Sequence, residues 1–495
     1  MPFSFIDIEE NKSRIIYWLF LSIILFYFVT AWFIIFVVKN FFYFSNSSRH
    51  YSALTRFIQI PSLEITLFVL MIAFIFGLIH WQFSTKDMLA KILKSLGANK
   101  LDNNDDYHNV LQNIIDEVCV AIGGRKIEAV VIPNAAMNAF AIEDFNSNAV
   151  IGVTEGLLAR LNRSQIEAVV AHEAGHIISR DCLATTVTCC LAEIYEEAMT
   201  VLRSTLRRSR GKGVALLLII YLVIGAMSFL SRLLNFFISR QREYRADAIS
   251  VRLTRNPLSL AEALKLISGY WRGAGSYGDK LEAIFITSPA FNKFDESKGV
   301  LSDLFATHPP IKTRINILAG MAHLDEKTLD ENLRSFKRIS PVAHAEYYIS
   351  QPDKDKASRL CPHCQINLID IVCEGVLVLR CDKCEGVLLA SNKISRMLIR
   401  EDKLFSEDTK KYAQTMLESK IKLTSFRDID PKNVWILHCP QCNQKMRRHF
   451  LLDSYPVEID ECFKCGSIWF DKNELEAVQY IYENKANMNV HNFYI

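Results

Sequence analysis

The chain has 495 residues, which is more than one domain requires. Half of the residues are hydrophobic, a high share for a soluble protein, and the formal net charge of +3 favours no nucleic-acid partner. Eight of the 13 cysteines form four Cys-x-x-Cys pairs after position 360. Such pairs are typical of metal sites with reduced thiolates and argue against a disulfide framework.

Two uncharged apolar runs open the chain. Residues 15–38 can cross a bilayer core of roughly 30 Å, and residues 65–83 form a second run. The acidic leader, with no small-residue cleavage site after the first run, predicts a retained anchor. We therefore predict a transmembrane hairpin over residues 1–85. Basic residues concentrate outside its loop, which favours a cytosolic N-terminus and cytosolic residues from 84 onward.

A compact region follows the hairpin. Apolar residues at helical spacing predict a helix over residues 102–123. Turn residues then separate three strand-like runs and a short helix. These elements are predicted at 128–132, 138–142, 149–154 and 155–161. An edge strand of such a sheet can hold an extended peptide by β-addition.

The next helix carries His-Glu-x-x-His. His172 and His176 lie one turn apart on one helical face, so both rings can approach one metal ion, and Glu173 lies beside that point. Ser164 with Glu167 predicts a capping box at the start of this helix. The alternative is a core helix that carries two histidines by chance.

A catalytic zinc needs a third protein ligand. Glu243 is the best candidate, and Asp247 lies four residues later on the same helical face. Asp247 can then hydrogen-bond a ligand histidine and fix its tautomer. The alternative for Asp247 is an ordinary helix ion pair with Arg242 or Arg245.

Five motifs in order over about residues 100–320 resemble the HtpX-type membrane zinc metallopeptidases, a group that includes the CAAX prenyl-protein proteases. The matching segments are Asn138-Ala-Phe-Ala141, Val153-Thr-Glu-Gly-Leu157, His172-Glu-Ala-Gly-His176 with Arg180-Asp181, Ser239-Arg-Gln-Arg-Glu243-Tyr-Arg-Ala-Asp247, and Thr307-His308-Pro-Pro with Arg314.

This resemblance implies an α+β fold: a zincin-type (gluzincin) metallopeptidase domain over residues 86–320, with inserted membrane helices. It implies an endopeptidase of the cell (inner) membrane that cleaves membrane or misfolded proteins. His172, His176 and Glu243 would bind the catalytic zinc, and Glu173 would act as the general base.

The resemblance also suggests supporting roles. His308 would donate a hydrogen bond to the oxyanion, with an ordinary loop histidine as the alternative. Arg314 would support that loop, and Asp181 would lie behind the metal ligands with Asp247. Asn138 and Ala139 would place the substrate backbone, with a plain buried strand as the alternative.

The shared ion constrains the topology. His172 and Glu243 must lie on the same side of the membrane, so the chain between them crosses an even number of times. Residues 213–231 form a third uncharged run. Either residues 183–202 also span, despite their acidic residues, or neither segment fully spans. The family resemblance favours the first alternative.

Two cysteine repeats end the chain, at residues 359–400 and 437–480. Their spacing is that of zinc ribbons, and the second copy resembles the small TFIIB-type ribbons. The predicted ligands are Cys361, Cys364, Cys381 and Cys384 in the first, and Cys439, Cys442, Cys462 and Cys465 in the second. Residues 321–358 and 401–436 are predicted linkers, and 481–495 a tail.

These sites imply one catalytic and two structural zinc ions. Because thiolates must stay reduced, the ribbons are expected in the cytosol. They are predicted to bind protein substrates or partners, because acidic residues offset their short basic cluster, which argues against nucleic acid. The competing hypothesis is a non-catalytic membrane adaptor. The presence of Glu173 together with all three ligands favours the enzyme.

Overall fold

The computed structural model describes most of the chain between residues 60 and 484. The described residues are 60–208, 213–269, 285–286, 311–335, 348–349, 359–373, 376–399, 405–418, 437–452 and 455–484, with helical residues within 21–40. The predicted first span is described only in part, and His308 and residues 485–495 lie outside the described residues.

The helix α1, Leu63–Thr85, covers the second predicted span. It begins after Pro61 and presents several large apolar side chains to its surroundings, among them Leu67, Phe68 and Phe76. Within the described part of the chain, no helix combines the length and apolar character that a membrane crossing requires.

A helix–sheet unit follows, in the region predicted to hold the three strands. Its strands are β1 (Asn99–Lys100), β2 (Ile127–Ile132), β3 (Ala139–Glu143) and β4 (Ala149–Thr154). Their order across the described sheet is β1-β2-β4-β3, with β2 and β4 parallel and the other pairs antiparallel. The three predicted strands are confirmed to within one residue at each end. The strand β3, which was expected to be an edge strand, lies at one edge.

Helices cover this sheet and form the core with it. They are α2 (Met88–Ser95), α3 (Asp106–Ala121), α4 (Glu155–Arg160), α5 (Arg163–Ile178), α6 (Asp181–Arg208), α7 (Gly213–Thr254), α8 (Pro257–Gly269), α9 (Ile311–Met321) and α10 (Glu326–Ser335). All six residues of β4 are buried, and α5 is buried along nearly its whole length. A central strand covered on both faces has no solvent side, which explains its continuous apolar sequence.

The start of α5 differs from the prediction. Asn162 is the N-cap, and its side chain accepts a hydrogen bond from the backbone N–H of Gln165 at 2.9 Å. The Gln165 side chain accepts in turn from the Asn162 N–H, so Asn162 and Gln165 form the capping box. The predicted Ser164–Glu167 box is wrong by two residues, because Asn162 is the last extended residue and the helix begins at Arg163.

The helices α6 and α7 pack along each other. Along the chain they connect the histidines of α5 to Glu243, the two parts of the predicted metal site. Residues 183–202 belong to α6, and the apolar run 213–231 and Glu243 share the single helix α7. At about 1.5 Å per residue these helices are about 42 and 63 Å long. Two helices carry the chain away from the site and back, and a membrane crossing by them stays a prediction. The side chains of the acidic residues in 183–202 lie outside the described set.

The two cysteine repeats form one ribbon unit. Its strands are β5 (Tyr348–Ile349), β6 (Ile369–Cys373), β7 (Val376–Arg380), β8 (Val387–Ala390), β9 (Arg447–Leu452), β10 (Tyr455–Cys462) and β11 (Ser467–Phe470). Among the described residues they make one seven-stranded sheet, because β8 of the first repeat pairs with β11 of the second. Trp469 on β11 is fully buried among cysteines of both repeats.

Both predicted linkers contain structure. The helix α10 lies in the first and buries Leu329 in the core of the helix–sheet unit. The helix α12, Glu407–Glu418, lies in the second and buries Ala413 against the ribbon unit. The predicted tail likewise begins inside α13, Glu474–Asn484. Because these polar segments bury only a few side chains each, their composition is that of a linker.

Gly152 on β4 is required by a close contact. A Cβ atom there would lie 1.9 Å from the Phe140 ring on the neighbouring strand. We therefore expect Gly152→Ala to lower the free energy of unfolding by about 1–3 kcal/mol, the usual cost of overpacking. Gly320→Ala in α9 is the matched control. It meets no atom within 4 Å and should leave stability unchanged or raise it by up to about 1 kcal/mol. Denaturant unfolding measures both; equal stability of parent and Gly152→Ala would contradict this packing.

Candidate metal centre

The helix α5 supplies two facing imidazoles. The Nε2 atoms of His172 and His176 lie 3.3 Å apart, and the ring planes are nearly perpendicular. The helix α7 supplies Glu243. Its Oε2 lies 3.6 Å from His172 Nε2, and its Oε1 lies 3.6 Å from His176 Nε2. One ligand atom from each residue falls within 4.8 Å of the other two. A tetrahedral zinc with bonds of about 2.0–2.1 Å separates its ligands by about 3.3 Å, so this donor set fits zinc.

A close helix contact makes this arrangement possible. A Cβ atom on Gly175 would lie 3.1 Å from the Cα of Ala246, so α5 and α7 touch backbone to backbone beside the histidines. One turn further on, the Ser250 hydroxyl donates to the Ala168 carbonyl at 2.7 Å. The two helices therefore hold their ligands at a fixed separation.

Asp247 lies behind His172, as predicted. Its Oδ1 forms a 2.9 Å ion-pair contact with His172 Nδ1, and because a carboxylate only accepts, this contact favours the proton on Nδ1. The lone pair of Nε2 is then left to face the shared point. Burial lowers the pKa of His172, but Asp247 and Glu243 outweigh the effect of burial and raise this pKa to about 9. Burial raises the pKa of Asp247, yet Arg314 and His172 bring it to about 2.

Arg314 lies inside the site. Its guanidinium donates to both oxygens of Asp247, at 2.9 and 2.7 Å, and lies 2.8 Å from Glu243 Oε2. It is fully buried. It was expected to support the loop at 307–310, which lies outside the described residues. The structure shows it bracing the two acidic residues of α7 from α9.

Glu173 completes the centre. Its side chain is buried, and Oε1 has no hydrogen-bond partner among the described residues. Burial raises its pKa, and the two histidines oppose that rise. With Glu243, Asp247 and Arg314, and with the histidines neutral as zinc binding requires, the buried groups carry three carboxylates against one guanidinium, a formal charge of −2. A divalent cation offsets that charge, which supports the fit to zinc.

The other acidic residue of this region lies further out. Asp181 Oδ2 is 3.9 Å from His176 Nδ1, too long for a hydrogen bond. Arg242 and Arg245 approach Asp181 at 3.5 and 4.0 Å. These arginines therefore pair toward Asp181, and Asp247 is held by His172 and Arg314 instead of by its helix neighbours.

The edge of β3 is covered at the predicted substrate position. The Ile286 N–H donates to the Ala139 carbonyl at 3.0 Å, and Phe285 bridges Phe140 in antiparallel pairing. Asn138 is buried, with its backbone bonded to Thr154 on β4. A peptide that adds to β3 here has to replace residues 285–286. The substrate role of Asn138 and Ala139 stays a prediction.

The ribbon cysteines form two groups. Cys361, Cys364, Cys381 and Cys384 come together, as do Cys439, Cys442, Cys462 and Cys465. The sulfur separations of 3.3–3.6 Å are too long for disulfides and near the edge of a zinc–thiolate tetrahedron, about 3.8 Å. Burial raises the pKa of the Cys381 thiol, but backbone N–H groups of Cys384 and Lys383 outweigh it and lower it to about 7.

Sequence reasoning did not find the direct contacts of Arg314 with Asp247 and Glu243, nor the cover on β3. Arg314 had one local signal. It is a cation amid apolar residues that face the core at helical spacing, Ile311, Ile315 and Leu318. Residues 285–286 have no such local signal, because backbone pairing across a long sequence separation does not depend on the side-chain pattern.

Asp247→Asn tests the support of His172. An amide can present its N–H₂ to Nδ1 and favour the wrong tautomer, so zinc affinity should fall about 10–100-fold. Competition with a chromogenic chelator measures it. The control is Asp330→Asn, which removes a part-exposed ion pair with Lys265 far from the site and should leave the affinity unchanged. Equal affinity in Asp247→Asn and parent would contradict this role.

Comparisons with known proteins agree with the geometry. The family model "Peptidase family M48" matches residues 102–322, and the model "Transcription factor zinc-finger" matches residues 438–479. "Protease HtpX homolog" of Thermoanaerobacter pseudethanolicus is 33% identical over 264 residues, 51% of this chain and 84% of that protein. The homologue from Dictyoglomus thermophilum is 31% identical over 331 residues, 65% of this chain and 96% of that protein.

A chain in "Crystal Structure of S. mikatae Ste24p" aligns with a TM-score of 0.32 and 15% identity, covering 63% of this chain and 65% of that one, a similarity too low to decide the fold. The sequence relatives show the family, since the chain covers most of their length at over 30% identity. This chain belongs to peptidase family M48, the metalloproteases that include the HtpX homologues.

Proposed function

We propose that the chain is a membrane-bound zinc endopeptidase that hydrolyses peptide bonds of membrane or misfolded proteins. The observation that carries this proposal is the convergence of His172, His176 and Glu243, from two touching helices, beside the buried Glu173. Bound there, zinc would lower the pKa of a water molecule and polarise the scissile carbonyl.

The chain's own residues would handle the proton. Glu173 would accept a proton from the attacking water and later donate it to the leaving amine. The raised pKa of its carboxyl group suits both tasks. Asp247 would keep the proton of His172 on Nδ1, and Arg314 would hold Glu243 and Asp247 in place throughout.

Two further roles concern the substrate. His308, outside the described residues, would donate to the developing oxyanion, a contribution of about 10²–10³ in rate. Asn138 and Ala139 would hold the substrate backbone along β3 once residues 285–286 give way. An isolated antiparallel bridge between Phe285 and Phe140 at this edge supports this binding mode.

The membrane location rests on the apolar runs and the exposed face of α1. Large apolar side chains that face outward over several turns are typical of a surface that contacts lipid. They are Leu63, Ile65, Leu67, Phe68, Leu70, Met71, Phe74, Ile75, Phe76, Leu78 and Ile79. We place the catalytic and ribbon units in the cytosol, on the basis of the flanking basic residues and the cysteine thiolates.

The ribbon unit is proposed to bind a protein substrate or partner. Two members of its basic cluster face carboxylates: Arg448 donates to Asp460 at 2.8 Å, and His449 Nε2 lies 2.7 Å from Glu461. Because these charges are paired, they offer little attraction to phosphate groups. This pairing favours a protein ligand over nucleic acid.

Glu173→Gln tests the mechanism. The amide cannot accept a proton, so casein cleavage should fall by about 10²–10⁴ while zinc stays at about three ions per chain. Glu167→Gln, on the same helix but outside the site, should retain both. Proteolysis and metal analysis by mass spectrometry measure the outcomes. Full cleavage by Glu173→Gln would overturn the role of Glu173 as base. One zinc per chain would overturn the ribbon sites. An inactive parent with three zinc ions would favour the hypothesis of a non-catalytic adaptor.

Membrane integration is tested by alkaline carbonate extraction of the full-length chain. An integral protein should stay with the lipid pellet, because its apolar helices have no favourable place in water. A fluorescent protein fused after Ile495 should fold and emit if the C-terminus is cytosolic. Release of the chain into the supernatant would exclude membrane integration. A fusion that is intact but not fluorescent would place the C-terminus on the opposite side of the membrane.

A further inference from the structure

A buried charge cluster joins the ribbon unit to the helix–sheet unit. Its centre is Arg396 on the helix α11, Ile394–Ile399, which follows β8. Arg396 Nη1 donates to both oxygens of Asp105 at 2.7 Å, and Nε donates to Glu155 Oε2 at 2.9 Å. Arg396 is 1% exposed, and its guanidinium also stacks over the Tyr107 ring.

The remaining members balance the cluster. Lys393 contacts Asp105, so two cations face two carboxylates. His108 Nδ1 accepts from the Asp102 N–H, which leaves the ring proton on Nε2, 3.1 Å from Glu155. Burial raises the pKa of Glu155, but Arg396 and His108 outweigh it and hold it below its usual range. A buried, balanced and hydrogen-bonded cluster tolerates little change of geometry.

The cluster reaches the segment that leads into β3. Asp105 caps the start of α3, and Glu155 is the first residue of α4, directly after β4. The neighbouring Ser395 hydroxyl donates to the Pro133 carbonyl at 2.9 Å. Pro133 opens the loop 133–138 that connects β2 to β3. The ribbon unit therefore bonds to this loop and to both helices beside it.

The loop has little freedom of its own. Ala135 packs into the hydrophobic cluster of the ribbon unit, and the Gly156 N–H donates to the Asn134 carbonyl at 2.8 Å. A Cβ atom on Gly156 would lie 2.1 Å from the Ala135 carbonyl oxygen. The loop also lines a small apolar pocket at the β3 edge, with room for about one water molecule. The pocket residues are Leu96, Ile132, Asn134, Ala136, Asn138, Thr154 and Phe285.

We propose that Ser395 and Arg396 are positioning residues for the substrate. Through them the ribbon unit holds the loop 133–138, which leads into β3, the strand proposed to hold the substrate backbone. This proposal rests on the proposed endopeptidase function. It makes the ribbon unit a structural part of the substrate site, in addition to any partner that it binds.

Kinetics of the full-length protein test the proposal. Ser395→Ala and Arg396→Gln should raise KM for a quenched fluorescent peptide by about three- to tenfold. The kcat should change less than about twofold. Arg396→Lys should recover only part of the effect, because lysine lacks the bidentate fork. Arg448→Gln, which breaks an ion pair within the second ribbon, is the control and should match the parent.

A second measurement does not need peptidase activity. Hydrogen–deuterium exchange in the Glu173→Gln background should be faster over residues 133–138 in Ser395→Ala and Arg396→Gln than in Arg448→Gln. Unchanged exchange in that loop would overturn the positioning role. So would a fall in kcat at constant KM, which reports loss of folded enzyme. If the parent proves inactive on every peptide while exchange changes as expected, the endopeptidase proposal fails and the docking stands.

Discussion

The backbone contact between α5 and α7 is the constraint on which the site depends. The pair His172 and His176 on α5 and the pair Glu243 and Asp247 on α7 each lie one turn apart, and these four groups converge only where the axes nearly touch. Gly175 and Ala246 allow that approach, since larger side chains at either position would separate the helices. The apolar run at the start of α7 is continuous with this contact, so one helix connects the proposed membrane segment to the third ligand.

Electrostatics explains why the site needs more than its ligands. Glu173, Glu243 and Asp247 are buried within one small volume, and like charges at such distances oppose folding. Arg314 offsets one charge and, as the fit suggests, zinc would offset two. Arg314 comes from α9, far along the chain, and its bidentate grip on Asp247 orients His172 indirectly. A second buried arginine, Arg396, offsets the charges of Asp105 and Glu155 where the ribbon unit contacts the helix–sheet unit.

Much of the structure followed from local pattern. The three strands were predicted to within one residue because turn residues separate them and their apolar runs are short. The start of α5 was placed two residues late, since two capping boxes compete there and tertiary contacts selected Asn162. The linkers were misjudged because α10 and α12 are polar helices stabilised by the few side chains that they bury, Leu329 and Ala413.

The sequence alone determined which residues can carry the chemistry: the His-Glu-x-x-His spacing, Glu243 with Asp247, and the cysteine pairs. Each of these patterns lies within a few residues, where helix and knuckle geometry are local. Tertiary structure alone decided the rest. It placed Arg314 on the metal centre, covered β3 with residues 285–286, joined the ribbons through β8 and β11, and docked Arg396 between Asp105 and Glu155. Such contacts join residues distant in sequence, and only the packing of whole elements brings them together.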